Sequence, residues 1–268
     1  MIPPASRSVQ QSTVKRQSEG RGERVVAEET PIAFTYGQAS YAVMMATPAD
    51  LEDFAVGFTL TEGIIRTPSQ ITELDVIAHP RGIELRMTLN SERDVDLSNR
   101  RRRLAGPVGC GLCGIESLEA AIAPVAHVAS RLTIGRAAIF RALKSLAAEQ
   151  ALNQATHAVH GAGFWSPQEN GFLAFREDVG RHNALDKLCG ALARAGRPGG
   201  DGVVCLTSRV SIEMVQKTAA LGAPILVAIS APTALAIHTA QEAGITLVGV
   251  ARDDSFEIFT HPARITAS

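Results

Sequence analysis

The sequence has few cysteines, few aromatic residues and almost no net charge. Four cysteines in 268 residues, only two of them close together, are too few for a secreted disulfide scaffold. Aromatic residues make up 4% of the chain, which argues against a platform that stacks on nucleobases. A formal net charge of −1 gives no general attraction to nucleic acid or to an anionic membrane. No apolar run reaches membrane-spanning length. The longest, Ala223 to Ile237, is broken by Pro224, Ser230, Pro232 and Thr233. The chain opens Met1-Ile2-Pro3-Pro4 and continues through Ser, Gln, Arg and Lys with no apolar core of a secretory signal. Together these absences predict a cytoplasmic protein in a reducing compartment, with neither nucleic acid nor membrane as partner.

What is present is ordinary for a globular enzyme: 46% hydrophobic and 20% charged residues. Residues 1–24 are polar and basic and are expected to be a disordered tail. Residues 25–128 are expected to form a small α+β domain. In it, Thr30 to Phe34 and Ser40 to Ala46 flank Gly37-Gln38 as a hairpin. Thr47-Pro48-Ala49-Asp50 reads as a helix start, with Thr as N-cap and Pro at the first position. The helix it opens carries Leu51, Phe54, Phe58 and Leu60, and strands follow at Leu74 to Ala78 and Ile83 to Leu89. Residues 94–114 hold Arg100-Arg101-Arg102-Arg103 and then a glycine-rich stretch ending Cys110-Gly111-Leu112-Cys113-Gly114, without helical or strand period. This segment reads as a mobile loop.

Residues 129–268 are expected to form a larger α/β domain. Ile139, Phe140, Leu143, Leu146 and Ala147 mark a helix face. Strands read at Thr156 to Gly161, Phe172 to Arg176, Val203 to Leu206, Ile225 to Ile229, Thr246 to Val250 and Glu257 to Thr260. Helices read at Arg181 to Ala195, Ser211 to Leu221 and Pro232 to Ala243. Such alternation with short connections predicts a mostly parallel sheet with helices on both faces.

A Cys-x-x-Cys has three common explanations: half of a zinc site, a redox dithiol, or a nucleophile with a helper. Structural zinc usually needs four soft ligands, and Cys189, in a helix, and Cys205, in an apolar strand, read instead as small buried hydrophobes. His157 and His160 could complete a Cys2His2 set, but three-residue spacing in a strand sends them to opposite faces. Guanidinium groups beside Cys110 and Cys113 would favour thiolate over thiol and so activate a nucleophile. Alone, the arginine run also reads as a solvated charged loop. Reactive sulfur on a mobile arm is the reading taken here, with no permanently bound metal expected.

Strand-to-helix turns supply the second signal. Thr207-Ser208-Arg209-Val210-Ser211, Ser230-Ala231-Pro232-Thr233 and Asp178-Val179-Gly180-Arg181-His182-Asn183 each lead into a helix. Helix N-termini offer free N–H groups and a positive dipole end, which suit phosphate. Each alone could be just a cap; three on one sheet predict an anionic, nucleotide-like ligand.

In this order, Cys110-Gly111-Leu112-Cys113-Gly114, Glu177 to Lys187, Ser208-Arg209-Val210-Ser211 with Glu213-Met214-Val215, and Ser230-Ala231-Pro232-Thr233 resemble the FdhD family, the formate dehydrogenase accessory sulfurtransferases. The resemblance runs from about Val25 to the end. It implies a carrier that accepts sulfur from a cysteine desulfurase as a persulfide. The sulfur then passes to the molybdenum cofactor with two guanine dinucleotide pterins, Mo-bis(molybdopterin guanine dinucleotide), before that cofactor enters formate dehydrogenase. It implies a cytidine-deaminase-like larger domain and a homodimer. By position Cys110 matches the persulfide-bearing cysteine, with Cys113 assisting. The cofactor-binding stretch matches Val250, Ala251, Arg252, Asp253, Asp254 and Ser255, with Ser208, Arg209, Ser230, Thr233 and His182 as further candidates. The family usually has an aromatic residue at Val250 and small residues at Asp253 and Asp254, so Arg252 and backbone N–H groups are the expected contacts.

Two rivals remain. A zinc deaminase would want a His-x-Glu and a Pro-Cys-x-x-Cys around the metal, whereas His157-Ala158-Val159-His160 has no Glu in place and Pro107 is not next to Cys110. The other is a non-catalytic cofactor chaperone whose cysteines form a zinc clip.

Overall fold

The structure, a computed structural model, describes residues 1–16, 18–91 and 125–267. The arginine run, Cys110 and Cys113 lie outside the described residues. The chain begins with β1 (Ser6–Lys15) and β2 (Ser18–Ala27), paired antiparallel from Ser6↔Ala27 to Lys15↔Ser18. The expected tail is therefore a hairpin. Its strands have no apolar stripe to betray them; the ladder is backed by polar links instead. Gln10 donates to Glu23 at 2.8 Å, Arg7 pairs with Glu28 at 3.0 Å, and Arg24 donates to the Thr156 carbonyl at 3.3 Å.

A four-stranded sheet follows, in the order β4-β3-β6-β5, from β3 (Thr30–Tyr36), β4 (Ala39–Ala46), β5 (Ile71–His79) and β6 (Gly82–Leu89). Gly37, at φ 60°, makes the first turn. Helix α1 (Leu51–Thr61) lays Phe54 and Phe58 on Ile32, Phe34, Leu85 and Met87, all buried. It starts three residues later than Thr47-Pro48 suggested, after Asp50 at φ 54°. The reason is tertiary: the Thr47 amide donates to Asp178 at 3.0 Å, and its hydroxyl accepts from the Val179 amide at 3.1 Å. A residue held that way does not cap a helix.

The second half carries β7 (Ile134–Gly135), α2 (Arg136–Glu149), α3 (Ala151–Thr156), β8 (His160–Ser166), β9 (Gly171–Asp178) and α4 (Arg181–Arg194). Then come β10 (Val203–Leu206), α5 (Ile212–Leu221), β11 (Ile225–Ala228), α6 (Ala234–Glu242), β12 (Thr246–Gly249), β13 (Glu257–Ile258) and β14 (Ile265–Thr266). The main sheet runs β13-β12-β11-β10-β8-β9. It is mixed rather than mostly parallel. Only β10/β11 and β11/β12 are parallel, against antiparallel β8/β9, β8/β10 and β12/β13. A four-residue connection with Asn170 at φ 53° folds β8 onto β9 as a hairpin, and so short a link cannot make a parallel crossover. The expected strand from Thr156 also begins late, because Thr156 ends α3 and His157 caps it at φ 55°.

Helices do cover both faces. Leu185 and Leu188 of α4, Met214 and Val215 of α5 and Ala236 and Ala240 of α6 pack on Val204, Leu206, Leu226 and Leu247. On the other face Ile139, Ala142 and Leu146 of α2 meet Val203, Cys205, Ile225 and Val227. The two sheets are joined by α1 against α4. A Cβ on Gly57 would lie 1.7 Å from the Asp186 carbonyl, and one on Gly190 would lie 1.9 Å from that of Asp53. Only glycine allows this crossing. No helix among the described residues is long and apolar enough to cross a membrane.

Candidate functional site

Strand direction decides where the site lies. β10, β11 and β12 are mutually parallel, and β9 shares their direction because β8 is antiparallel to both β9 and β10. Their carboxyl ends therefore fall on one edge, where the turns into α4, α5 and α6 gather. Backbone bonds knit these turns together. The Thr233 amide donates to Val210, the Val210 amide to Ala231, and the Val250 amide to Ser230, at 3.0, 3.3 and 3.2 Å.

The candidate residues divide by what they do. Val250, which follows β12, sits at φ 51°. A β-branched residue rarely adopts this conformation, at a cost of about 1–3 kcal/mol. Beyond it, Ala251, Arg252, Asp253 and Asp254 line a pocket of about 580 Å3 with Ile229 and with Leu143 of α2. Arg252 donates through its guanidinium to the carbonyls of Ile229 and Ala251, and its amide donates to Ser255 at 2.8 Å. The predicted stretch is thus a folded turn on a cavity wall. Arg252 is held at the tip of its side chain through Nη1, while Asp253 and Asp254 bring negative charge to the same wall.

Two candidates serve the protein itself. The Thr233 hydroxyl accepts from the Ala236 amide at 3.2 Å, so it caps α6. Ser208 is buried and its hydroxyl donates to the Arg209 carbonyl at 3.0 Å, whereas Arg209 is exposed. Ser230 contributes its carbonyl to Val250. His182 stands elsewhere, in the first turn of α4, with Nε2 4.0 Å from Glu213 in the first turn of α5. These helices cover the face of the sheet opposite to α2, so His182 and the Leu143 pocket approach the edge from different sides.

The run from Glu177 to Lys187 carries a network that the sequence did not disclose. The Asp178 carboxylate accepts from Lys187 at 2.6 Å, from the Thr47 amide at 3.0 Å, from the Gly180 amide at 2.8 Å and from Asn183 at 2.9 Å. Lys187 also donates to the Thr47 carbonyl and Asn183 to that of Met45. Glu177 accepts from the amides of Leu152 and Asn153, both at 2.8 Å, and so caps α3. One turn later, Asp186 meets Lys217 at 2.8 Å and Thr61 at 2.6 Å. Burial alone would depress the Lys217 ammonium, but Asp186 and Glu62 outweigh it and raise its pKa. The acidic and basic residues of this run therefore clamp the N-terminal sheet to α4. The available signal was their type: Asp, Asn and Lys at helical spacing on an otherwise apolar face.

The remaining thiols are inert. Cys189 and Cys205 are buried. Burial, reinforced by the Asp186 charge, pushes the Cys189 thiol far up, and burial pushes Cys205 up to about 12. Neither is poised as a thiolate nucleophile.

A model of the FdhD/NarQ family matches residues 27–266. The chain is 54% identical over 260 residues to the sulfur carrier protein FdhD of Agrobacterium fabrum, covering 97% of this chain and 96% of that one. It is 52% identical over 246 residues to the sulfur carrier protein FdhD of Brucella abortus, covering 91% of each. Among solved structures it is similar to a candidate formate dehydrogenase accessory protein from Desulfotalea psychrophila, with a TM-score of 0.75 and 27% identity, covering 98% of this chain and 100% of that one.

Proposed function

The chain belongs to the FdhD/NarQ family, and from that premise we propose that it is a sulfur carrier in the maturation of formate dehydrogenase. In this reading the Cys110 thiolate attacks the terminal sulfur of a cysteine desulfurase persulfide. The donor's S–S bond breaks, a new S–S bond forms on Cys110, and the donor cysteine leaves as thiolate, with no net oxidation or reduction. Cys113 assists, and Arg100 to Arg103 favour the anionic sulfur.

The acceptor is Mo-bis(molybdopterin guanine dinucleotide), taken as substrate at the carboxyl edge of the main sheet. The observation that carries this half of the proposal is the strained Val250 directly before Ala251, Arg252, Asp253 and Asp254, which line the pocket. Strain of that kind persists where the surroundings over-determine it, commonly at ligand sites. Arg252 and the helix N-termini suit the pyrophosphate groups. Asp253 and Asp254 bring opposing charge to the same wall, so the phosphate contacts fall to Arg252 and backbone N–H groups. The carrier works in the cytoplasm as a homodimer.

Complementation tests the proposal in cells. In a bacterium lacking its own carrier of this family, wild type restores formate dehydrogenase activity and Cys110→Ala does not. Full restoration by Cys110→Ala, with zinc bound to the wild-type pair, would move the assignment to a cofactor chaperone.

A further inference from the structure

Four exposed large apolar side chains gather on two surfaces of the N-terminal unit. Val43 and Met45 are 52% and 40% exposed on β4, and Val14 and Val25 are 73% and 38% exposed on the β1–β2 ribbon. In the four-stranded sheet, α1 covers the face of Ile32, Phe34, Leu85 and Met87, so the alternate residues point the other way. On that outer face the β5–β6 half carries Glu73, Asp75, Glu84 and Arg86, as a sheet face in water should. The β3–β4 half does not. There Pro31 stands opposite Met45 and Ala33 opposite Val43, an uncharged apolar patch of four residues.

The ribbon is the second surface. None of the described side chains of residues 6–27 is buried, and a two-stranded ribbon without a core is marginal in water. Its two faces differ. Arg24 bonds the Thr156 carbonyl, and on the same face Val9, Gln11 and Thr13 are half-buried. The pairs Ser8↔Val25, Gln10↔Glu23 and Ser12↔Arg21, followed by Val14, point the opposite way and are all exposed. While Arg24 holds the ribbon to α3, this second face cannot turn onto its own sheet. Only Glu28 and Glu29 separate β2 from β3, whose Thr30 pairs with Ala46 next to Met45. The ribbon therefore leaves the body at the corner that carries the apolar patch.

We propose that the exposed face of the ribbon docks on the Pro31, Ala33, Val43 and Met45 patch of a second copy of this chain, the two copies exchanging ribbons about a two-fold axis. The proposal gives the homodimer of the reading above its contact surface and rests on that reading for the number of copies alone. Position selects a second copy as the occupant. The two unpartnered surfaces adjoin on one chain yet cannot meet within it, and a two-fold axis sets each against its counterpart twice. Area agrees. Along the eight residues of β4 the overlap is about 26 Å long, and two strands are about 10 Å wide, so each contact covers roughly 260 Å2 on each partner. Made twice, it buries on the order of 1,000 Å2, the size a specific interface needs. Docking also gives the ribbon the apolar backing that it lacks in one chain, since Val25 near its base and Val14 near its tip leave water.

Sedimentation equilibrium of the full chain tests this with two double variants. Val43→Asp with Met45→Asp spoils the receiving patch, and Val14→Asp with Val25→Asp spoils the ribbon. Wild type is expected to be a dimer, and each double variant to dimerise at least about tenfold more weakly. An equimolar mixture of the two is expected to associate more tightly than either alone, because one intact ribbon then finds one intact patch. Leu235→Asp, which changes an exposed apolar side chain on α6, is expected to leave the dimer as it is. A monomeric wild type, double variants that dimerise like wild type, a mixture no tighter than its components, or an equal loss in Leu235→Asp overturns the proposal. Thermal melts matched to wild type confirm folding, and where an aspartate pair melts early the same positions are changed to serine. No sulfur donor is used, so loss of this contact leaves the sulfur-carrier reading standing, and failure of sulfur loading leaves the contact standing.

Discussion

Lys187 Nζ lies 2.6 Å from Asp178 Oδ2 with both side chains wholly removed from solvent. Nine residues apart in sequence, they span the strand-to-helix turn that opens α4, and both also bond Thr47 of the N-terminal unit. A buried pair is weak evidence for net stabilisation, but removing one partner strands the other charge. Lys187→Met is therefore expected to destabilise by about 3–5 kcal/mol. In urea unfolding, Asp178→Asn combined with Lys187→Met should recover part of that loss. A single variant as stable as wild type would show that the clamp is dispensable.

Gly57 and Gly190 let α1 and α4 cross with backbone in contact. Alanine at either position has to push a backbone carbonyl away, and overpacking of this kind costs about 1–3 kcal/mol or more. Gly20→Ala is the control, since a Cβ there meets nothing within 4 Å. Thermal melts should show a clear drop for Gly57→Ala and Gly190→Ala and none for Gly20→Ala.

Val250 holds a left-handed conformation that glycine accepts without strain. Val250→Gly should then be neutral or stabilising by up to about 1 kcal/mol, the relief of strain being partly offset by a more flexible unfolded chain. Differential scanning calorimetry decides this. A loss of stability would mean that the valine side chain contributes more packing than its backbone costs.

Cys205 stays protonated in the folded state up to about 12, whereas an unfolded thiol ionises near 8.5. Its folded pKa is raised, so the stability it contributes is complete below the unfolded value and is lost as pH climbs through the window to the folded one. Above about pH 8.5, wild type should lose stability more steeply than Cys205→Ala, by at most about 1.4 kcal/mol per pH unit. Parallel pH profiles for the two proteins would contradict the assignment. In the same pH range iodoacetamide should label Cys110 and Cys113 and spare Cys189 and Cys205 in folded protein.

Much of the fold was legible where one local pattern decides it. The apolar runs Val203 to Leu206, Ile225 to Ala228 and Thr246 to Gly249 bury every residue and announced themselves as central strands. Phe54 and Phe58 marked the inner face of α1 in the same way. Local patterns failed where distant atoms decide. Thr47 looks like a helix cap until Asp178, 131 residues away, takes its amide. The hairpin at residues 6–27 pairs through backbone and polar links and buries no stripe that periodicity could detect. For the site, the stretch from Val250 to Ser255 was named through the family resemblance, and of it Ala251 to Asp254 line a pocket. Thr233 and Ser208 carried the right residue types for a ligand but bond to their own backbone.

The central claim is that Cys110 carries sulfur. Intact mass spectrometry after incubation with a cysteine desulfurase and cysteine tests it on wild type, Cys110→Ala and Cys113→Ala. The account predicts a one-sulfur increment on wild type that is removed by dithiothreitol, absent from Cys110→Ala and reduced or retained in Cys113→Ala. An increment that persists in Cys110→Ala, or no increment on any form, would contradict it.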